Sequence, residues 1–206
     1  MVKANIAVFV SGGGTNLQAL LDAADRGALK DGALALVLSS REDAYALERA
    51  KKHHIPTKVV SKKQAGSQQA FEAEILRTLA EYSVDMIVLA GFMSILSVDF
   101  VRQYEKRIIN VHPSLIPSFC GEGYYGLRVH EAALQKGVKV TGATVHFVNE
   151  VPDGGEIIFQ KAVRVLKNDT PQTLQRRVME QAEWKLLPRA AQEVAKKIAK
   201  GKEKKL

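Results

Sequence analysis

Through the first half of this chain, short β-branched and aliphatic runs alternate with segments whose apolar residues recur at helical spacing. Strands separated by helices are joined by right-handed crossovers into a parallel sheet, so the alternation points to an α/β fold with a Rossmann-like three-layer architecture. The strand candidates are residues 5–10, 34–39, 57–60 and 86–89, and the helical segments between them are 15–26, 43–53 and 68–82. Residues 108–111 read as a further buried strand. Residues 141–148 and 157–165 follow as an antiparallel pair around the turn signal Pro152-Asp153-Gly154-Gly155. A long C-terminal helix begins at Thr170-Pro171, a cap residue followed by proline, and Pro188 is expected to kink or divide it.

At 206 residues, with no internal repeat and no linker rich in Gly, Pro or Ser, one domain over 1–194 is expected. It would divide into the halves 1–105 and 106–194, with 195–206 as a lysine-rich tail. That tail holds six lysines and one glutamate, five of the net +8 charges, and no aromatic residue is interleaved for base stacking. Nucleic acid is therefore not an expected partner, and the run reads as a solvated, frayed helix end. No apolar stretch reaches the ~20 residues of a bilayer span, and the amino terminus lacks a signal-peptide pattern, so a cytoplasmic protein without membrane contact is expected. The single cysteine, Cys120, excludes an internal disulfide framework and any multi-cysteine zinc site. Residues 113–126, with two prolines and three glycines, read as a long loop.

Three clusters can carry chemistry. Ser11-Gly12-Gly13-Gly14-Thr15-Asn16 lies between the first strand and first helix, where backbone N–H groups and the helix dipole hold anions. It lacks the third glycine of a dinucleotide fingerprint and the Gly-Lys-Ser/Thr of a Walker loop. A small phosphate monoester remains, or a tight turn that merely needs glycine. In Asn110-Val111-His112-Pro113-Ser114, strand alternation puts Asn110 and His112 on one side, an amide and an imidazole suited to an oxyanion and a proton. Asp153 by spacing alone is a turn residue. His53 and His54 end a surface helix, His130 opens a helix and His146 sits within a strand. None of these has the companions of a metal site, and Cys120 has no assignable base.

Taken with Ala90-Gly91-Phe92-Met93, Ile116-Pro117 and Thr144-Val145-His146-Phe147-Val148, these motifs resemble the formyltetrahydrofolate-dependent formyltransferases in order and spacing across residues 4–190. The Asn-x-His-Pro-Ser run and Asp-Gly-Gly resemble the whole superfamily. The glycine loop with Thr15-Asn16-Leu17 resembles the branch that formylates a glycinamide ribose phosphate in purine (IMP) synthesis. The resemblance implies 10-formyltetrahydrofolate as co-substrate, no metal, and a monomer or homodimer acting on small molecules. It implies that Asn110, His112 and Asp153 are catalytic, that Gly13, Gly14, Thr15 and Asn16 hold the substrate phosphate, and that Glu183 meets the substrate amine. The folate would lie along Phe92, Met93, Ser94, Ile95 and Leu96, near Asn110 and Asp153. Many relatives have arginine where this chain has Gln68 and Ser94, which would move anion contacts to Lys62, Lys63 or backbone groups. Residues 118–126 would act as a mobile lid over the folate, and the halves 1–105 and 106–194 would be the phosphate-binding half and the catalytic and folate half. Two other members of the superfamily compete: the hydrolase releasing formate, which usually carries an added amino-terminal domain, and the methionyl-tRNA enzyme, which extends further at its carboxyl end. A non-catalytic sugar-phosphate sensor would need the glycine loop but not Asn110, His112 and Asp153.

Overall fold

The computed structural model describes residues 2–204. Seven strands form one sheet: β1 (Ala4–Val10), β2 (Gly32–Ser39), β3 (Thr57–Val59), β4 (Met86–Leu89), β5 (Ile108–His112), β6 (Val140–Phe147) and β7 (Ile157–Arg164). Their spatial order is β3-β2-β1-β4-β5-β6-β7. The first five pair in parallel, whereas β6 is antiparallel to both β5 and β7. The expected mostly parallel sheet with a late antiparallel pair is therefore the observed one. Between β1 and β4 the winding reverses direction, and in open α/β sheets such a reversal opens a crevice at the strands' carboxyl ends.

Helices cover both faces because each central strand buries residues of both parities. One face packs Ile6, Val8, Val37, Val88 and Ile109 beneath α1 (Thr15–Asp25), α2 (Tyr45–Lys52), α6 (Leu127–Lys136), α7 (Pro171–Val178) and α8 (Trp184–Glu203). The other packs Phe9, Leu38, Ile87 and Ile108 beneath α4 (Gln68–Glu81) and α5 (Val98–Gln103), with the short α3 (Lys62–Ala65) leading into α4. Helix starts follow local chemistry. Ser67 accepts the Ala70 N–H at 3.0 Å, Ser97 accepts the Phe100 N–H at 3.2 Å, and Thr170 forms a capping box with Thr173.

Two expectations about the C-terminal helix are corrected. Pro188 does not divide it, since α8 continues through Pro188 to Glu203. The irregularity lies upstream, where Met179–Glu183 winds as a π-helical turn. Leu186, Leu187, Ala190 and Ala191 bury against the sheet on either side of Pro188, which outweighs the one backbone donor that proline lacks. The lysine run is likewise no frayed end within the described residues. Ala195 and Ala199 are buried, and Lys202 meets Asp85 at 2.6 Å, so the lysines form the outer face of one continuous helix. Lys205 and Leu206 lie outside the described residues.

Candidate active site

The glycine loop is built by turning its carbonyls away from the crevice. Gly12 O accepts the Ala46 N–H at 3.1 Å, Gly14 O accepts the Gln18 N–H at 2.9 Å, and Arg49 Nε donates to Gly13 O at 2.8 Å. Gly14 has φ of 73°, and a Cβ there would lie 2.6 Å from the Ala46 Cβ and 2.8 Å from its Cα. Glycine is thus required twice, by conformation and by the close approach of α2. Residues 12–16 line a recess of ≈ 290 Å³ shared with Ala90 and Gly91 at the end of β4, at the reversal point of the sheet.

A buried acid lies behind Asn16, one of the residues lining that recess. The π-helical turn brings Glu183 inward, where Asn16 Nδ2 donates to its Oε2 at 2.7 Å. Burial pushes the Glu183 carboxyl up to about 7, against the opposing effect of the Asn16 hydrogen bond. The Asn16 side-chain oxygen is buried without a protein partner, leaving an acceptor beside that acid.

The second cluster lies on β5 and β6. Asn110 pairs with His146 and His112 with Thr144 across the antiparallel register, which puts all four side chains on one face. The segment after β6 folds back over this face, with Asp153 held at φ of 55°. There Asp153 Oδ2 lies 3.4 Å from His112 Nδ1, and its Oδ1 lies 3.5 Å from His146 Nε2. Gly155 permits the fold-back, because a Cβ there would overlap the Phe147 carbonyl oxygen.

Hydrogen bonding sets the tautomers. His112 Nε2 faces Phe119 O at 2.8 Å, and a carbonyl only accepts, so Nε2 carries the proton and Nδ1 turns to Asp153. His146 Nδ1 likewise donates to Phe147 O at 2.8 Å, and its Nε2 lies between Asn110 Nδ2 at 3.3 Å and Asp153 Oδ1 at 3.5 Å. Burial lowers the affinity of His112 for a proton, more than the Asp153 carboxylate raises it. Burial alone would raise Asp153, but the His146 imidazole, the Gly121 N–H and His112 together hold it below the usual carboxylate range.

Residues 113–126 form the roof in two unlike parts. Thr144 Oγ1 donates to Ser114 O at 2.7 Å and accepts the Ile116 N–H at 3.1 Å, and Gln160 Nε2 donates to Ile116 O at 3.0 Å, pinning the first part to β6 and β7. Beyond it, Phe119 O meets His112, and the Gly121 N–H donates to Asp153 Oδ2 at 2.9 Å.

The expected folate strip divides by parity. Phe92 and Leu96 pack on the core, Phe92 against Phe9 at 5.1 Å between ring centres, while Met93 and Ile95 are 56% and 82% exposed. Gln68 Nε2 donates to Glu72 Oε1 and to Ile95 O at 3.0 Å, and Glu72 accepts the Ser97 N–H and hydroxyl, each at 2.6 Å. Gln68 thus ties α4 to this strip.

Other candidates fall elsewhere. His130 is buried in the first turn of α6 with neither ring nitrogen partnered, and burial, with His112 nearby, lowers it to about 4. Cys120 Sγ donates to Pro117 O at 3.2 Å, and burial raises its thiol. Among the described residues, no three His, Cys, Asp or Glu side chains are grouped to hold a metal ion, and no helix is long and apolar enough to cross a membrane. Three participants were not found from sequence: His146, the Phe119 carbonyl and the Gly121 N–H. His146 did carry a signal, since Thr144 and His146 alternate with the apolar Ala143, Val145 and Phe147, the mark of a face that is not core.

A glycine loop at a sheet reversal and an amide, imidazole and carboxylate on β5, β6 and the segment after β6 are an arrangement suited to group transfer. The chain belongs to the formyl transferase family, whose description matches residues 4–191. It is 40% identical to phosphoribosylglycinamide formyltransferase of Escherichia coli (strain K12), over 86% of this chain and 81% of that one. It is 46% identical to the trifunctional purine biosynthetic protein adenosine-3 of Gallus gallus over 94% of this chain, which spans 18% of that protein's length. The crystal structure of glycinamide ribonucleotide transformylase 1 from Symbiobacterium toebii superimposes with a TM-score of 0.87 at 40% identity, covering 94% of this chain and 88% of that one.

Proposed function

We propose that this chain transfers the formyl group of 10-formyltetrahydrofolate to the amino group of N1-(5-phospho-D-ribosyl)glycinamide, giving the formylglycinamide ribonucleotide and tetrahydrofolate in purine synthesis. The observation that carries it is the convergence of Asn110, His112, His146 and Asp153 on one face of β5 and β6. Residues 1–105 supply the phosphate-binding half and 106–194 the catalytic and folate half.

The N–H groups of Gly13, Gly14, Thr15 and Asn16 receive the phosphate at the start of α1. Glu183 and Asn16 hold the glycinamide amine, and the folate lies along Phe92, Met93, Ser94, Ile95 and Leu96 toward Asn110 and Asp153. The amine nitrogen attacks the formyl carbon, forming the new C–N bond while the formyl oxygen becomes an oxyanion. Asn110 Nδ2–H and the His112 imidazole stabilise that charge. Asp153, ionised and beside His112, takes the amine proton directly or through one water and delivers it to folate N10 as the C–N10 bond breaks. No covalent enzyme intermediate and no metal take part. For His112 Nε2–H to reach substrate it must leave the Phe119 carbonyl, so the roof exchanges its contacts in each cycle.

The test is a spectrophotometric assay with 10-formyl-5,8-dideazafolate, with and without glycinamide ribonucleotide, repeated with Asp153→Asn. Formyl loss only with the ribonucleotide, abolished by the substitution, supports the transferase. Formyl loss without it would show a hydrolase, and no reaction in either mixture would overturn the assignment.

A further inference from the structure

We propose that Arg49 is a positioning residue for the phosphate site: its guanidinium holds the Gly13–Gly14 peptide so that the Gly14 N–H faces the recess. This rests on the reading of residues 12–16 as the place where the substrate phosphate binds. Across a planar trans peptide, the carbonyl and the following N–H point in opposite directions. Fixing the carbonyls of Gly12, Gly13 and Gly14 therefore also aims the N–H groups of Gly13, Gly14 and Thr15. Two of those carbonyls are held by backbone, from Ala46 at the start of α2 and from Gln18 in the first turn of α1. The middle one is held by a side chain, Arg49 Nε at 2.8 Å.

The guanidinium is itself fixed. Its Nη1 donates to Gln18 Oε1 at 2.9 Å, Gln18 Nε2 donates to Asp22 Oδ1 at 2.8 Å, and the Tyr45 ring lies 5.1 Å from the guanidinium carbon. Arg49 thus spans α2, the loop and α1 through two acceptors held in one geometry, which a lysine ammonium reaches only one at a time. Its charge against the Gly13 oxygen also polarises the peptide, strengthening the Gly14 N–H as a donor to an anion on the opposite side. Arg49 reaches the ligand only through this peptide, so its contribution belongs to ribonucleotide binding and leaves the formyl transfer step alone.

The test compares Arg49→Met, Arg49→Lys and Gln18→Ala with the wild type. It uses steady-state kinetics for both substrates and calorimetric titration with ribose 5-phosphate. Losing one charged-donor hydrogen bond predicts about a tenfold rise in KM for the ribonucleotide and in Kd for ribose 5-phosphate in Arg49→Met. Turnover and KM for the folate should stay within about twofold in that variant, a split that simple loosening of the fold does not produce. Arg49→Lys should recover part of the loss, and Gln18→Ala should show a smaller one of the same kind, which keeps the test decisive if Arg49→Met does not fold. Unchanged ribonucleotide KM and ribose 5-phosphate affinity would overturn the assignment. So would a fall in turnover with both KM values rising in step with a lower Tm, or a wild type that does not bind ribose 5-phosphate. Should the wild type bind ribose 5-phosphate yet fail to formylate the ribonucleotide, the proposed activity fails and the titrations still decide the role of Arg49.

Discussion

The two ends of the site are prepared in opposite ways. At the glycine loop the carbonyls of Gly12, Gly13 and Gly14 are bonded outward, to α1 or α2, and the recess is left to the N–H groups. At the acid–base cluster the polar groups are spent on the protein itself: His112 on Phe119 O, Asp153 on the Gly121 N–H, and Asn110 on His146. Under the proposed function the first end would accept a ligand without rearrangement, whereas the second would trade protein partners for substrate. A rigid anchor beside a closed reacting centre would let phosphate binding precede the chemistry and keep unspent donors out of water until the substrates arrive.

The sharpest way to break this comparison is at the reacting centre. His112→Ala removes the proposed oxyanion donor and the imidazole beside Asp153, but touches nothing in the glycine loop. Turnover should fall by about 10³-fold, the usual scale for a positioned acid–base group, while ribonucleotide binding measured by calorimetry stays within about twofold. A sugar-phosphate sensor would lose neither, and loss of binding in parallel with turnover would mean the two ends are one unit.

At the anchor the corresponding change is Gly14→Ala. Its Cβ would press on the Cβ and Cα of Ala46 at 2.6 and 2.8 Å, and φ of 73° disfavours any side chain. Left-handed backbone and overpacking together predict roughly 2–4 kcal/mol of lost stability, read by urea unfolding. Ribonucleotide affinity should fall more than folate affinity. Retained stability and affinity would show that α2 gives way and that the loop is not rigid.

How much of each end was legible in the sequence follows the same division. The glycine loop is local: strand, turn and helix start are contiguous, so Gly13, Gly14, Thr15 and Asn16 could be placed from spacing. Asn110 and His112 were legible from strand alternation. Asp153 was not, because its spacing suits any turn, and only the fold-back permitted at Gly155 carries it over β5. His146 required the β5–β6 register, a pairing between residues 36 apart. The backbone groups of Phe119 and Gly121 left no trace in side-chain identity. Pro188 misled because proline's local penalty was weighed without the burial of Leu186, Leu187, Ala190 and Ala191 around it.

At the loop end Glu183 is bonded to Asn16, and its protonation sharpens the comparison through pH. Its carboxyl is raised from 4.5 to about 7 by burial, so between these values the folded chain keeps a proton that the unfolded chain releases. Stability contributed by this group is therefore full below about 4.5 and declines as pH rises to about 7, by on the order of 3 kcal/mol in total. Unfolding measured at pH 5 and pH 8 should show this decline in the wild type and a smaller one in Glu183→Gln. Over the same range the emerging carboxylate should lower KM for the ribonucleotide in the wild type only. A pH-independent difference between the two proteins would remove the buried acid from the account.

The smallest effect concerns the roof, where residues 113–118 are pinned to β6 and β7 while Phe119 and Gly121 are held by the acid–base groups themselves. Removing the Gly121 acceptor with Asp153→Ala deletes one hydrogen bond to a charged group, which predicts about a tenfold faster amide exchange at Gly121. Exchange at Ile116, whose N–H goes to Thr144 Oγ1, should not change. In the wild type, a folate analogue and ribonucleotide added together should alter exchange over 119–126 more than over 113–118, because substrates compete for the partners that hold the outer part alone. Uniform change along the loop, or none, would mean that the roof moves as one piece or not at all, and His112 would then have to act while still bonded to the Phe119 carbonyl. In that case the Nε2 proton could not serve the oxyanion, and the role assigned to His112 would pass to Asn110.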